Sequence, residues 1–341
     1  MESDNSGSFY NFLPEGCRLC YKGAKMVLFV TGICGKNCFY CPVSNKRREK
    51  DIIFANERRV NRDEDIIEEA ISMDALGTGI TGGEPLLRLG RVIHYIKLLK
   101  NKFGESHHIH LYTALAPNKG IIESLKEAGL DEIRFHPPQD LLPGIDKTYY
   151  RVSLTEAHKL GLSVGIEIPS ITCDLSGVIS LLKEVDGFLN LNELEFSETN
   201  FSKLKERGYV TVDDTSSAVL GSREAAQGLD YDKLHFCSSR FKDAIQLRER
   251  FKRIAKISAR HFDEITDDGT LVYGLIEGSC APFLKEAGVP DEMYSVLDDT
   301  VEIAWWIAED FAGELKKIGC EVSVIERYPM KNGMIAERTP L

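Results

Sequence analysis

The chain has 341 residues, 43% hydrophobic and 28% charged, with a formal net charge of −11. That length allows about two domains with sizeable cores, and the acidic total argues against general affinity for nucleic acid. No apolar run approaches the ~20 residues of a membrane span, and Met1-Glu2-Ser3-Asp4-Asn5 lacks the charged-then-apolar pattern of a secretory signal, so a cytoplasmic protein is expected.

Residues 1–16 show no periodicity and read as an irregular lead-in, followed by Cys17-Arg18-Leu19-Cys20 on a turn-like stretch. From there apolar runs alternate with helical spacing, the mark of βα units and a parallel sheet. Strands are expected at about 25–33, 77–81, 108–113, 131–136, 162–169 and 192–197. Between them, Asp63–Ala75, Leu89–Lys102, Asn118–Ala128, Tyr149–Leu160 and Leu175–Val185 have helical spacing. Gly129 and Gly161 stand where a helix C-terminus turns left-handed. Six such units predict an α/β fold, a partial (β/α)6 TIM-like barrel. After Glu198 the alternation stops. A helix over 240–260, a strand at 270–276, a helix over 297–318 and a strand at 321–326 predict a C-terminal α+β extension. The expected division is a lead-in (1–24), a core barrel (25–200) and the extension (201–341).

Chemistry concentrates in Cys34-Gly35-Lys36-Asn37-Cys38-Phe39-Tyr40-Cys41, directly after the first strand. Nine cysteines, five of them between Cys17 and Cys41, point to metal rather than disulfides in a reducing compartment. Three close thiols suit an iron–sulfur cluster with one iron left open, whereas zinc takes four protein ligands. One βα unit later comes Gly82-Gly83-Glu84-Pro85. There two glycines admit close backbone approach, and the carboxylate can pair with an ammonium group.

These two motifs, in this order, resemble those of the radical S-adenosylmethionine (SAM) superfamily, and within it the archaeal and bacterial proteins related to pyruvate formate-lyase activating enzyme. The resemblance implies a [4Fe-4S] cluster on Cys34, Cys38 and Cys41, with SAM on the open iron. Tyr40, before the third cysteine, also matches the family. Gly82, Gly83 and Glu84 would bind SAM, and Thr113 and Glu167, near the C-terminal ends of their strands, would contact its ribose and carboxylate. A buried polar group satisfied by backbone is the alternative for those last two. The implied activity is reductive cleavage of SAM to a 5′-deoxyadenosyl radical that abstracts hydrogen from a substrate. A flavodoxin- or ferredoxin-like protein would donate the electron. Three substrate classes remain open: a small molecule or peptide, an RNA, and the protein backbone taken by a glycyl-radical activase, against which the long C-terminal extension argues because such activases tend to be short. The rival of another class is a non-catalytic zinc or iron–sulfur module, which has no need of the Gly-Gly-Glu loop.

Three further features call for an account. Cys17 and Cys20, with Cys237 and either His235 or Cys280, are read as a candidate auxiliary metal site, a second iron–sulfur cluster or zinc, against the alternative of free thiols. His136 ends the fourth strand and is a candidate to face the substrate. The basic stripe Lys242, Arg248, Arg250, Lys252, Arg253, Lys256 and Arg260 reads either as a phosphate-binding face or as a solvated one.

Overall fold

The computed structural model describes residues 2–331 and 333–341. It divides the chain into two compact units, Met1–Ile71 with Ala75–Gln246, and Ser72–Asp74 with Leu247–Leu341. The boundary expected at 200 thus moves to 246, because residues 201–246 add a strand to the first unit's sheet. The lead-in also belongs to that unit. Its strand β1 (Phe9–Tyr10) pairs into the same sheet, and its CxxC lies on a helix, α1 (Glu15–Tyr21), not on a turn.

The first unit's strands are β2 (Lys25–Phe29), β3 (Gly77–Thr81), β4 (His108–Thr113), β5 (Glu132–Phe135), β6 (Ser163–Ser170), β7 (Phe188–Glu193) and β8 (Leu234–Cys237). Among the described residues these seven run parallel, each bonded to the next, one more than the six expected. Beyond β2 the sheet continues into the short antiparallel strand Phe54–Ala55, and beyond β8 into β1, so it does not close. This is the partial TIM-like barrel. Helices cover its outer face, where Ile80, Leu111, Ile133, Phe135, Ile166, Leu189 and Phe236 are buried. Gly129 and Gly161 end their helices at φ +109° and +74°, as the sequence predicts. The sixth expected strand shifts by four residues to Phe188–Glu193, where Leu189 and Leu191 alternate with inward-facing asparagines.

The second unit is an antiparallel sheet of β9 (Leu271–Glu277), β10 (Tyr294–Leu297), β11 (Thr300–Ile303), β12 (Glu321–Arg327) and β13 (Ile335–Pro340), in the order β10-β11-β9-β12-β13. Its helix, Trp305–Lys317, begins eight residues later than expected. The stretch before it turns at Asp298 (φ +50°) and forms the hairpin β10–β11, since Thr300-Val301-Glu302-Ile303 alternates with a period of two. Among the described residues no helix is long and apolar enough to cross a membrane.

Candidate active site

The cysteine loop and the glycine pair are built as one body. Gly83 N donates to Thr31 O (2.7 Å) and Glu84 N to Ile33 O (2.9 Å). A Cβ on Gly82 would lie 2.5 Å from Thr31 O, and one on Gly83 2.6 Å from Ile33 O. Only glycine lets the two backbones approach so closely. The cysteine loop is pinched at its base by Gly32 N to Lys50 O (2.8 Å) and Glu49 N to Gly32 O (2.9 Å). Asp51 clamps the same base, accepting from Thr31 Oγ1 (3.0 Å), Arg88 Nε (3.0 Å) and Arg91 Nη1 (2.6 Å). On the far side the segment after β7 braces it: Asn200 Nδ2 donates to Tyr40 O (3.1 Å), and Thr199 Oγ1 to Cys41 O (3.1 Å).

Cys34, Cys38 and Cys41 are half-buried and line one cavity of about 580 Å3. Tyr40, Gly82, Gly83, Thr113 and Glu167 line the same cavity, so nearly every expected site residue is gathered there. Burial pushes the Cys34 thiol up, with Cys38 and Cys41 adding to the rise. Among the described residues no three His, Cys, Asp or Glu side chains converge on a single ion. Three half-buried thiols at one cavity are a donor set that fits a cluster with one iron left open.

Glu84 departs from expectation. Its carboxylate is fully buried, is not part of the cavity wall, and accepts from Leu86 N (3.0 Å), Thr113 Oγ1 (2.8 Å) and Ala114 N (2.7 Å). Burial pushes this carboxyl up, and those three donors oppose the rise. It therefore ties the glycine loop to the loop after β4. His136 also lines the cavity, yet both its nitrogens are engaged. Nδ1 must donate to Glu167 O (2.7 Å), since a carbonyl only accepts, which leaves Nε2 to accept from Tyr40 Oη (2.9 Å). Burial lowers its pKa and keeps the ring neutral.

Beneath the cavity lies a polar network the sequence reading missed. Arg134, 1% exposed, donates from Nε to Glu132 Oε1 (2.5 Å) and from Nη1 to Glu167 Oε2 (2.7 Å), Tyr112 Oη (3.2 Å) and Cys17 Sγ (3.5 Å). Asn190 Nδ2 donates to Glu167 Oε2 (2.9 Å) and Cys17 Sγ (3.3 Å), and Asn192 Nδ2 to Glu167 Oε1 (3.0 Å). The signal was available. Parallel strands covered on both faces read as continuous apolar runs, but here His108, His110 and Tyr112, then Glu132 and Arg134, then Asn190 and Asn192 occupy every second position. The alternation puts polar side chains inside the barrel.

The auxiliary metal site expected at Cys17, Cys20 and Cys237 is not supported. The three thiols are neighbours, but Cys17 is held by Arg134 and Asn190, and Cys20 is bonded to Lys25. Arg134 and Lys25 are both buried beside these thiols, and a second cluster or zinc is not shown. Burial alone would raise the Cys17 thiol, but Arg134 and His235 outweigh it and bring it down to about 7. Cys280 is a free thiol hydrogen-bonded to Cys320 in the core of the second unit. Within the basic stripe Lys242 pairs with Glu195, Lys252 with Glu249, Arg253 with Asp74, and Arg260 with Asp263.

A family model described as the radical SAM superfamily matches residues 28–137, and a domain of unknown function (DUF8061) matches residues 269–341. A protein of Methanocaldococcus jannaschii, provisionally named a glycyl-radical enzyme activating enzyme, is 40% identical over 352 residues, taking in 97% of this chain and 94% of the relative. The crystal structure of methylornithine synthase is similar over 63% of this chain and 71% of its own, at 12% identity and a TM-score of 0.39.

Proposed function

Since the chain belongs to the radical SAM superfamily, we propose that Cys34, Cys38 and Cys41 hold its [4Fe-4S] cluster and that Gly82, Gly83 and Thr113 form the SAM seat beside it. The observation that carries this reading is the single cavity lined by all six residues. Bound there, cluster and SAM would supply reductive carbon–sulfur cleavage and a 5′-deoxyadenosyl radical for hydrogen abstraction. The protein's own part is to place the ligands and keep water out. Tyr40, fixed by neutral His136, walls the cavity beside the cysteines. Glu167, its carboxylate already saturated by Arg134, Asn190 and Asn192, presents a fixed negative charge and is unsuited to moving protons. That charge favours a cationic group on the ligand, so Glu167 is proposed to face the ammonium or sulfonium side of SAM, not its carboxylate.

For the substrate, a segment of a partner protein is the reading we favour. The relative named as an activating enzyme matches almost end to end, so the long C-terminal region does not speak against an activase. The net charge of −11 weakens the RNA reading. An electron donor of the flavodoxin or ferredoxin kind completes the scheme. The test is anaerobic purification with iron and sulfide counting, followed by a reductant-driven assay for 5′-deoxyadenosine. About four irons per chain and product formation that vanishes in Cys34→Ala, Cys38→Ala and Cys41→Ala variants are expected. Undiminished product in any of the three would overturn the assignment.

A further inference from the structure

Cys17 and Cys20 lie on successive turns of α1, where residues three apart have Cβ atoms about 5–6 Å from each other. A disulfide requires Cβ atoms about 3.5–4.5 Å apart, so closing one draws the pair together by about 1–2 Å within the helix. The helix is short, seven residues, and the chain turns at Gly23 (φ +61°) just beyond it. Each thiol is also seated on a cation. Arg134 Nη1 is 3.5 Å from Cys17 Sγ, with Asn190 Nδ2 at 3.3 Å, and Lys25 is bonded to Cys20. At Cys17 these donors favour the thiolate, the nucleophile of disulfide exchange, whereas burial raises the Cys20 thiol and Lys25 only opposes the rise.

The molecule holds its own contrast. Cys280 and Cys320 are free thiols hydrogen-bonded to each other and packed among Ile276, Leu284, Leu315 and Val322. Burial pushes the Cys280 thiol up to about 11. Proximity is thus present at both pairs, and an electropositive setting at one.

We propose that Cys17 and Cys20 are a redox-active dithiol that closes into a disulfide at the expense of a small-molecule disulfide. In the first step the Cys17 thiolate attacks one sulfur of the oxidant, breaking its S–S bond and forming a mixed disulfide. The Cys20 thiol then loses its proton, attacks Cys17 Sγ and expels the second reagent thiolate. The protein gives up two electrons and two protons, and the reagent is reduced to two thiols. Closure removes the sulfur acceptors of Arg134 and Lys25 directly below Glu167, which couples the dithiol to the cavity. The inference does not depend on the hydrogen-abstraction reading.

The test equilibrates the cluster-loaded protein, without oxygen, across a series of oxidised-to-reduced dithiothreitol ratios, then traps free thiols by alkylation and maps peptides by mass. Exchange between two dithiols is one-to-one, so a roughly 80-fold change in the ratio should carry the Cys17–Cys20 disulfide from about a tenth to about nine tenths of molecules. Cys280 and Cys320 should be alkylated throughout. The proposal is overturned if Cys17 and Cys20 stay reduced at every ratio, if Cys280–Cys320 closes in their place, or if Cys17 bridges to Cys237. Metal counting on Cys17→Ser and Cys20→Ser proteins adds a second check. Iron and zinc equal to the parent are expected, and a loss of metal would mean a metal site instead of a dithiol.

Discussion

Arg134 Nη1 stands 2.7 Å from Glu167 Oε2, with 1% of the arginine side chain and 12% of the glutamate side chain exposed. The guanidinium belongs to the barrel floor and the carboxylate to the cavity wall, so one ion pair joins the layer that supports the site to the layer that forms it. Buried pairs of this kind add little net stability over apolar isosteres, but breaking one strands a charge.

Arg134→Gln should therefore destabilise the protein by about 3–5 kcal/mol in denaturant unfolding, since Glu132 and Glu167 lose their shared cation. Arg134→Lys should recover only part of this, because an ammonium cannot reach Glu132, Tyr112, Cys17 and Glu167 in the planar arrangement the guanidinium uses. A lysine variant as stable as the parent would show that charge alone matters there.

The same pair sets an acid limb. Burial by itself would raise the Glu167 carboxyl, but Arg134, Asn190 and Asn192 hold it at about 2, below its ordinary 4.5. A depressed folded pKa means the contribution is complete above 4.5 and fades as pH falls toward 2. Its size is on the order of 3 kcal/mol. Unfolding free energies measured over that window should fall less steeply in Glu167→Gln than in the parent. Parallel curves would remove Glu167 from the account.

Gly83→Val should cost cluster loading as well as SAM binding. The sequence alone suggests that a side chain here fills only ligand space. The structure shows its Cβ 2.6 Å from Ile33 O, so the strand end leading to Cys34 must shift. Iron content below half the parent value after identical reconstitution is the expected reading, and full loading with weakened SAM affinity would favour the simpler ligand-blocking picture.

Glu84→Ala should behave as a folding defect more than a lost ligand contact. It leaves Leu86 N and Ala114 N without their acceptor in a buried setting, at about 1–3 kcal/mol for each group. The thermal midpoint should drop by several degrees, which scanning calorimetry would register. An unchanged midpoint with reduced SAM affinity would restore the carboxylate to the ammonium role.

Much of the barrel was legible because βα units write themselves twice, in apolar runs and in the glycines that end helices, as at Gly129 and Gly161. The losses have identifiable causes. Four residues of β8 carry too short a pattern to stand out, and the hairpin β10–β11 was absorbed into the helix that follows it. The lead-in looked irregular because β1 is two residues long and joins the sheet by pairing with β8, more than 220 residues away.

What the sequence determined by itself was the chemistry on offer: three thiols at cluster spacing, a glycine pair one unit later, and a βα rhythm that brings both to the same end of a sheet. Those are local properties, set by backbone periodicity and by which residues tolerate close approach. The tertiary structure alone decided how the polar groups are spent. Arg134 lies 33 positions from Glu167 and 117 from Cys17 along the chain, yet it bonds to both. Glu84 looked free to bind a ligand until folding brought Thr113 and Ala114 within its reach. A buried charge takes whichever partners the fold delivers, and spacing along a chain does not record them.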